Sequence, residues 1–251
     1  MTREHSLTGE KLSLLAVFAH PEDESFGPAG TLAKYASEGV QVSLVTATRD
    51  HAPLDDAPRA RNRVCACRAS GIRRACLFDF APGELSQVAP EIIEEGIVRV
   101  IREIRPQVVI TFGPEGLAGD VDNRIISAAT TNAFRRAGDA SRFPQHLTDG
   151  LGAYTPKKLY YCVLPQSVVT QWGVAGLVAV PDADITTTLD VSAYSEAMKN
   201  ALYCQRHRAL DFIHWLTEKP NVQWNAEYYA LIESHLTKKT RREKDLFAGL
   251  R

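Results

Sequence analysis

The chain is short of the features that mark several large classes of protein. No apolar stretch approaches the roughly 18 residues needed to cross a bilayer, so no segment reads as a membrane span. The first eleven residues are polar and lack the apolar centre of a secretory signal. Cysteine is sparse: five residues, an odd count, with no CxxC pair to hold zinc or exchange electrons. Cys65 and Cys67 lie two apart in a helical pattern and so face different directions, poorly placed to bridge each other. This usage predicts a reduced, cytoplasmic protein. Charge of either sign in excess is also missing. The 29 Lys and Arg and 30 Asp and Glu leave a formal −1, which gives no footprint for nucleic acid. The one basic run, Lys238–Lys239–Thr240–Arg241–Arg242, reads as a solvated helix face.

What is present is a globular pattern. The 251 residues, 45% hydrophobic, suffice for a substantial core in a single domain spanning 1–251, with residues 1–10 expected as a flexible N-terminus and 165–251 as a divergent part. Leu12–Ala19 is a continuous apolar run suited to a strand buried on both faces. Strands are also expected at Val40–Thr46, Ala75–Phe80, Gln107–Phe112 and Leu159–Leu164. Between them lie helical patterns at Gly30–Ser37, Arg59–Ala69, Pro90–Arg105 and Asp122–Arg136. This alternation implies an α/β fold, Rossmann-like, with a mostly parallel sheet and helices on both faces. Beyond residue 165, Thr186–Val191 is expected as an edge strand and Ser195–Leu216 as a long helix. Ligands of such sheets bind past the carboxyl ends of the strands, where strand order reverses. A reversal between the first and fourth strands would make the loops after Ala19 and Phe112 face each other.

The first of these loops is His20–Pro21–Glu22–Asp23–Glu24, a histidine and three acids directly after a buried strand. His20 and Asp23 converge on one point if a helical turn begins there, and both residue types ligate zinc at about 2.0–2.2 Å. Glu22 would then stand beside a metal that lowers the pKa of a held water towards ~7, placed to take its proton. Spacing alone leaves a second reading open, in which Asp23 or Ser25 caps the next helix and His20 makes a core hydrogen bond.

With its flanking Ala19 and the Gly-rich Gly27–Pro28–Ala29–Gly30–Thr31–Leu32, this loop resembles the AHPDDE signature of the LmbE-like/PIG-L zinc-dependent N-deacetylases. The likeness continues through Val42–Thr46, Arg59 and Arg105–Phe112, more faintly through Lys199–Leu202, and covers roughly residues 11–208. The resemblance implies a metal-dependent amide hydrolase that deacetylates an N-acetylglucosamine-type or other N-acyl small molecule. It implies Zn²⁺ held by His20 and Asp23, Glu22 as general base where Asp is usual, and Arg59 near the substrate. A solvated helix face is the competing reading of Arg59, with Arg61 and Arg63 beside it.

The second loop departs from the family. Where a Gly-Tyr-Gly-His-Pro-Asp-His type stretch is expected, the chain has Ala118–Gly119–Asp120–Val121–Asp122–Asn123. Asn123 stands at the third metal ligand, Asp120 at a histidine that assists the oxyanion, and Ala118 at the tyrosine. Gln205 falls near another family histidine. A neutral amide oxygen suits hard cations better than zinc, and a lost oxyanion donor typically costs about 10²–10³ in turnover. Asp120 or Asp122 reaching the metal would give an oxygen-rich site for another divalent cation. His51 or His207 swinging in is a second rescue. The alternative function is an impaired or repurposed homologue that binds a small molecule or protein without zinc. Trp172, Trp215 and Trp224 fit either a sugar surface or core packing. The expected partner is an acylated amino sugar, with no nucleic acid, no membrane span, and a homo-oligomer left open. A nucleotide-binding reading is weaker: Gly27–Pro28–Ala29–Gly30 is not GxGxxG, and acids crowd the helix N-terminus where a pyrophosphate would sit.

Overall fold

A computed structural model describes residues 11–49, 57–205, 224–237 and 242–251. Strand β1 (Ser13–Phe18) leads through helix α1 (Asp23–Phe26) and α2 (Ala29–Ser37) to β2 (Gln41–Thr48). Then come α3 (Ala57–Ala69), β3 (Arg74–Phe80), α4 (Pro90–Ile104), β4 (Val108–Phe112) and α5 (Val121–Arg136). The remainder is α6 (Gln145–Thr148), β5 (Lys158–Val163), α7 (Gln166–Trp172), β6 (Thr187–Asp190), α8 (Ser195–Cys204) and β7 (Ala226–Ser234). One seven-stranded sheet results, in the order β3-β2-β1-β4-β5-β7-β6. Strands β1 to β5 pair in parallel, whereas β7 runs antiparallel to both β5 and β6.

The strand β1 is apolar throughout because both of its faces are covered. Leu14, Ala16 and Phe18 enter one core with Leu32 and Tyr35 of α2 and Met198 of α8. Leu15, Val17 and Ala19 enter the other, with Ile93, Ile97 and Ile101 of α4 and Ile126 and Phe134 of α5. Side chains of a strand alternate between faces, so a continuous apolar run is what a doubly covered strand requires. In α4 those isoleucines recur on one stripe while Ile92 points to solvent. Arg105 closes the helix in the left-handed region, at φ 55° ahead of Pro106.

The expected strands and helices stand within a few residues of their predicted bounds, with Thr187–Asp190 at the sheet edge. The expected helix 195–216 is described as far as Cys204. Its remainder lies outside the described residues, as do residues 1–10, His51, His207, Trp215 and most of the basic run. No helix among the described residues is long and apolar enough to cross a membrane.

One expectation is corrected. Cys65 of α3 and Cys204 of α8 form a disulfide, with Cα atoms 5.7 Å apart. Spacing along the chain sets Cys65 only against its near neighbour Cys67. The packing of α3 against α8 supplies a partner 139 residues away. A crosslink over so long a loop restricts the unfolded chain by up to about 5 kcal/mol. Reduction should therefore lower the melting temperature by several degrees, with two fewer free thiols titrating before reductant than after. An unchanged melt with five free thiols from the start would show the pair unbonded.

Candidate metal centre

The order of strands reverses between β1 and β4, with β2 on one side and β5 on the other. The loops after these two strands open into the same crevice, and there His20 meets the acids of the second loop. His20 Nδ1 lies 3.1 Å from Thr48 Oγ1. That hydroxyl donates its own hydrogen to the Ala19 carbonyl at 2.9 Å, so its oxygen can only accept from the ring. Nδ1 therefore carries a proton, and the tautomer follows from the network. The other nitrogen, Nε2, points 3.1 Å from Asp120 Oδ1 and 4.0 Å from Asp122 Oδ2. A bare nitrogen lone pair facing carboxylate oxygens is repulsive. A cation must lie between them, either the proton of an imidazolium or a metal.

Each acid is held by backbone. Asp120 caps α5, its Oδ1 accepting from Asn123 N at 3.0 Å. This N-cap geometry explains an acid just before the helix. Asp122 is buried and accepts from Gly83 N at 2.6 Å and Leu85 N at 3.2 Å. It thus ties α5 to the loop after β3. One donor atom from each of His20, Asp120 and Asp122 lies within 4.8 Å of the others, a span that a single ion can bridge. The Thr48 bond to the far ring nitrogen is the outer-shell partner that ligating histidines normally have. This donor set fits a divalent cation.

The other predicted residues gather beside it in different roles. Asp23 is buried and its Oδ2 accepts from the His20 backbone N–H at 2.8 Å, folding the loop back on itself. It is not among the three mutually close donors. Neither Asp23 nor Ser25 caps α1 with its side chain; Glu22 occupies the cap position. Glu22, Asp23 and Asn123 all line a cavity of about 300 Å³. Asn123 is 6% exposed, and its Oδ1 has no hydrogen-bond partner, a buried acceptor open to a ligand. Arg59 sits in the first turn of α3, and its side chain lies outside the described residues.

Three contributors play parts that the sequence does not show. Thr48 has no motif to mark it. Asp122 is marked only as a candidate ligand, whereas it also clamps a loop. Gln205 falls near a family histidine. Its buried amide instead donates to the Pro21 carbonyl at 2.7 Å, holding the first loop against the end of α8.

Burial and crowding shift several of these groups. Burial raises the Asp23 carboxyl to about 7, although the nearby His20 charge pulls it down. Burial likewise raises Glu24 to about 8 and Glu227, which also lines the cavity, to about 7. For His20, burial disfavours the charged ring, but Asp23, Asp120 and Glu22 outweigh it and the pKa rises. Asp120 is held below its ordinary value: burial opposes ionisation, and the bonds from Asn123 N and His20 overcome it.

Fold and site together define a Rossmann-like α/β protein with a carboxylate-rich candidate cation site at its switch point. The family described as PIG-L, GlcNAc-PI de-N-acetylase, matches residues 15–134, from β1 to α5 and so both loops. A 1D-myo-inositol 2-acetamido-2-deoxy-alpha-D-glucopyranoside deacetylase of Kineococcus radiotolerans is 30% identical, over 94% of this chain and 82% of its own. Among solved structures, the N,N'-diacetylchitobiose deacetylase of Pyrococcus horikoshii superposes with a TM-score of 0.67 at 14% identity, covering 89% of this chain and 84% of that one. The 4-carboxy-2-hydroxymuconate hydratase GalB of Pseudomonas putida KT2440 superposes with a TM-score of 0.66 at 17% identity, over 91% of this chain and 99% of that one. The chain belongs to the PIG-L family.

Two measurements probe this geometry. Thr48→Val removes the acceptor for Nδ1–H and should weaken divalent-metal binding about 10- to 100-fold by calorimetry; unchanged affinity would mean that the tautomer is set elsewhere. The second concerns Glu227, whose folded pKa of about 7 exceeds its ordinary 4.5. The folded protein keeps that proton where the unfolded chain has lost it. The associated stability is complete below about pH 4.5 and is lost as pH rises through 7, roughly 3 kcal/mol in all. Metal-free protein should melt higher at pH 5.5 than at pH 8, and Glu227→Gln should flatten the slope. An equal slope in the variant would assign it to other groups.

Proposed function

We propose that the chain is a metal-dependent amide hydrolase that removes the acyl group from an N-acylated amino sugar. One observation carries the reading: His20 Nε2 lies 3.1 Å from Asp120 Oδ1 and 4.0 Å from Asp122 Oδ2, three donors that one ion can bridge, and Glu22 of the same first loop lines a cavity. Family membership and the deacetylase relative support the reaction class. Zinc is the expected ion. His20, Asp120 and Asp122 would hold it, with Asn123 Oδ1 available as a neutral oxygen. When bound, the metal supplies a Lewis acid for the acyl oxygen and acidifies a water.

The chain's own residues do the rest. The Glu22 carboxylate takes a proton from the attacking water as its oxygen bonds to the acyl carbon. It returns that proton to the leaving nitrogen as the C–N bond breaks, giving a free amine and a carboxylic acid that ionises, releasing its proton to solvent or to the amine. Asp23, clamped to the His20 backbone, keeps the imidazole in place. Asp120 holds the ring at Nε2, and its carboxylate would serve as a ligand to a bound metal. Arg59 would anchor a substrate hydroxyl or anion. The cytoplasmic setting belongs to this proposal too, with the Cys65–Cys204 bridge closing only once the protein leaves a reducing compartment: alkylation at the moment of lysis should then trap both thiols free, and a bridge already closed would speak against that setting.

Two outcomes decide the reading. Protein purified without chelators should carry close to one equivalent of divalent metal and release acetate from an N-acetylglucosaminyl-inositol conjugate. Glu22→Gln should lower kcat by about 10²–10⁴ while leaving metal content and KM within severalfold. Less than a tenth of an equivalent of metal with no acetate release would favour a binding protein on the same fold.

A further inference from the structure

The cavity beside the metal centre is walled mainly by carbon. Phe26 follows from the first loop, Phe112 ends β4, Trp172 ends α7, and Leu117, Leu164 and Trp224 close the sides. Its polar lining is Glu22, Asp23 and Asn123 from the two loops, with Glu227 and Tyr228 of β7. Glu227 has both oxygens taken: Oε1 accepts from Gly30 N and Oε2 from Thr31 N, each at 2.8 Å. Gly27 lets Phe112 lie close, because a Cβ there would meet the ring at 2.6 Å. The wall is thus assembled from five separate parts of the chain and is not a chance gap between two of them.

A substrate whose amide carbon sits beside Glu22 must send one of its two sides into this space. The amine side carries a sugar with several hydroxyls, and walls made mainly of carbon offer them few partners. The acyl side carries only carbon and hydrogen. The sugar then stays outside the cavity, where solvent satisfies its hydroxyls. We propose that the cavity is an acyl pocket and that the preferred substrate bears an N-alkanoyl chain longer than acetyl. A volume of about 300 Å³ is roughly ten times the ~30 Å³ share of a water molecule. It holds about six to eight carbons, where an acetyl group would leave it largely empty. The inference rests on the hydrolase reading, and the test separates the two.

The experiment compares N-acetyl-, N-hexanoyl- and N-octanoyl-glucosamine with the metal-loaded full-length protein. Released glucosamine reports hydrolysis, and quenching of tryptophan fluorescence reports binding to Glu22→Gln protein. Each buried methylene is worth up to roughly a fourfold gain, the equivalent of ~0.8 kcal/mol. The hexanoyl compound should therefore exceed the acetyl one at least tenfold in kcat/KM and in affinity. Leu177→Trp, which fills the cavity from its loop side, should cut the octanoyl-to-acetyl ratio at least tenfold. Chain-length-dependent binding without any hydrolysis would uphold the pocket and remove the hydrolase. Hydrolysis of the acetyl compound with equal or weaker action on the longer ones would remove the pocket and leave the hydrolase standing. Absence of chain-length dependence in binding would overturn the proposal outright.

Discussion

A hydrogen atom on Thr48 sets the chemistry of the crevice. Because that hydroxyl donates to Ala19 O, it can offer His20 only an acceptor, and the ring must present an unprotonated Nε2 to Asp120 and Asp122 or else carry a positive charge. Either way the site demands a cation between nitrogen and oxygen. The metal-free protein meets that demand with a proton, which is why neighbouring carboxylates raise the His20 pKa despite burial. A metal competes for the same position. Thr48 and Ala19 come from the ends of adjacent parallel strands, so the register of β1 with β2 delivers this arrangement.

The rest of the site is built outward from that pair of strands. The doubly buried β1 cannot shift without disturbing two cores at once. The loop that follows is pinned at three places: Asp23 on the His20 N–H, Gln205 on the Pro21 carbonyl, and Gly27 against Phe112. The second loop is pinned by Asp122 on the backbone at Gly83 and Leu85. Such restraint matters because a 1 Å displacement of a catalytic group costs on the order of 10²-fold in rate. It also explains how a loop lacking two family histidines still brings its acids to His20.

The central strands were legible because burial on both faces writes itself as unbroken apolar runs, and α4 because its isoleucines repeat at helical spacing. The first loop was legible as an anomaly, a histidine and three acids where a strand leaves the sheet. What could not be read is tertiary in origin. Thr48 looks like any strand threonine until Ala19 is placed beside it. The bridge from Cys65 to Cys204 depends on two helices meeting 139 residues apart. Strand β7 inserts antiparallel between β5 and β6, so its partners are remote in sequence, and its own Ala226–Ser234 alternates weakly. That overlooked strand contributes Glu227 to the cavity wall. Asp120 and Asp122 were legible as residues but not in their geometry, since one caps a helix and the other clamps a loop.

The most direct test is anomalous diffraction from crystals grown with Zn²⁺ or Mn²⁺. The account predicts a single strong peak about 2.0–2.3 Å from His20 Nε2 and from a carboxylate oxygen of Asp120 or Asp122, with Nδ1 still on Thr48. No peak in the crevice, or one reached by a His20 ring turned to offer Nδ1 instead, would contradict it.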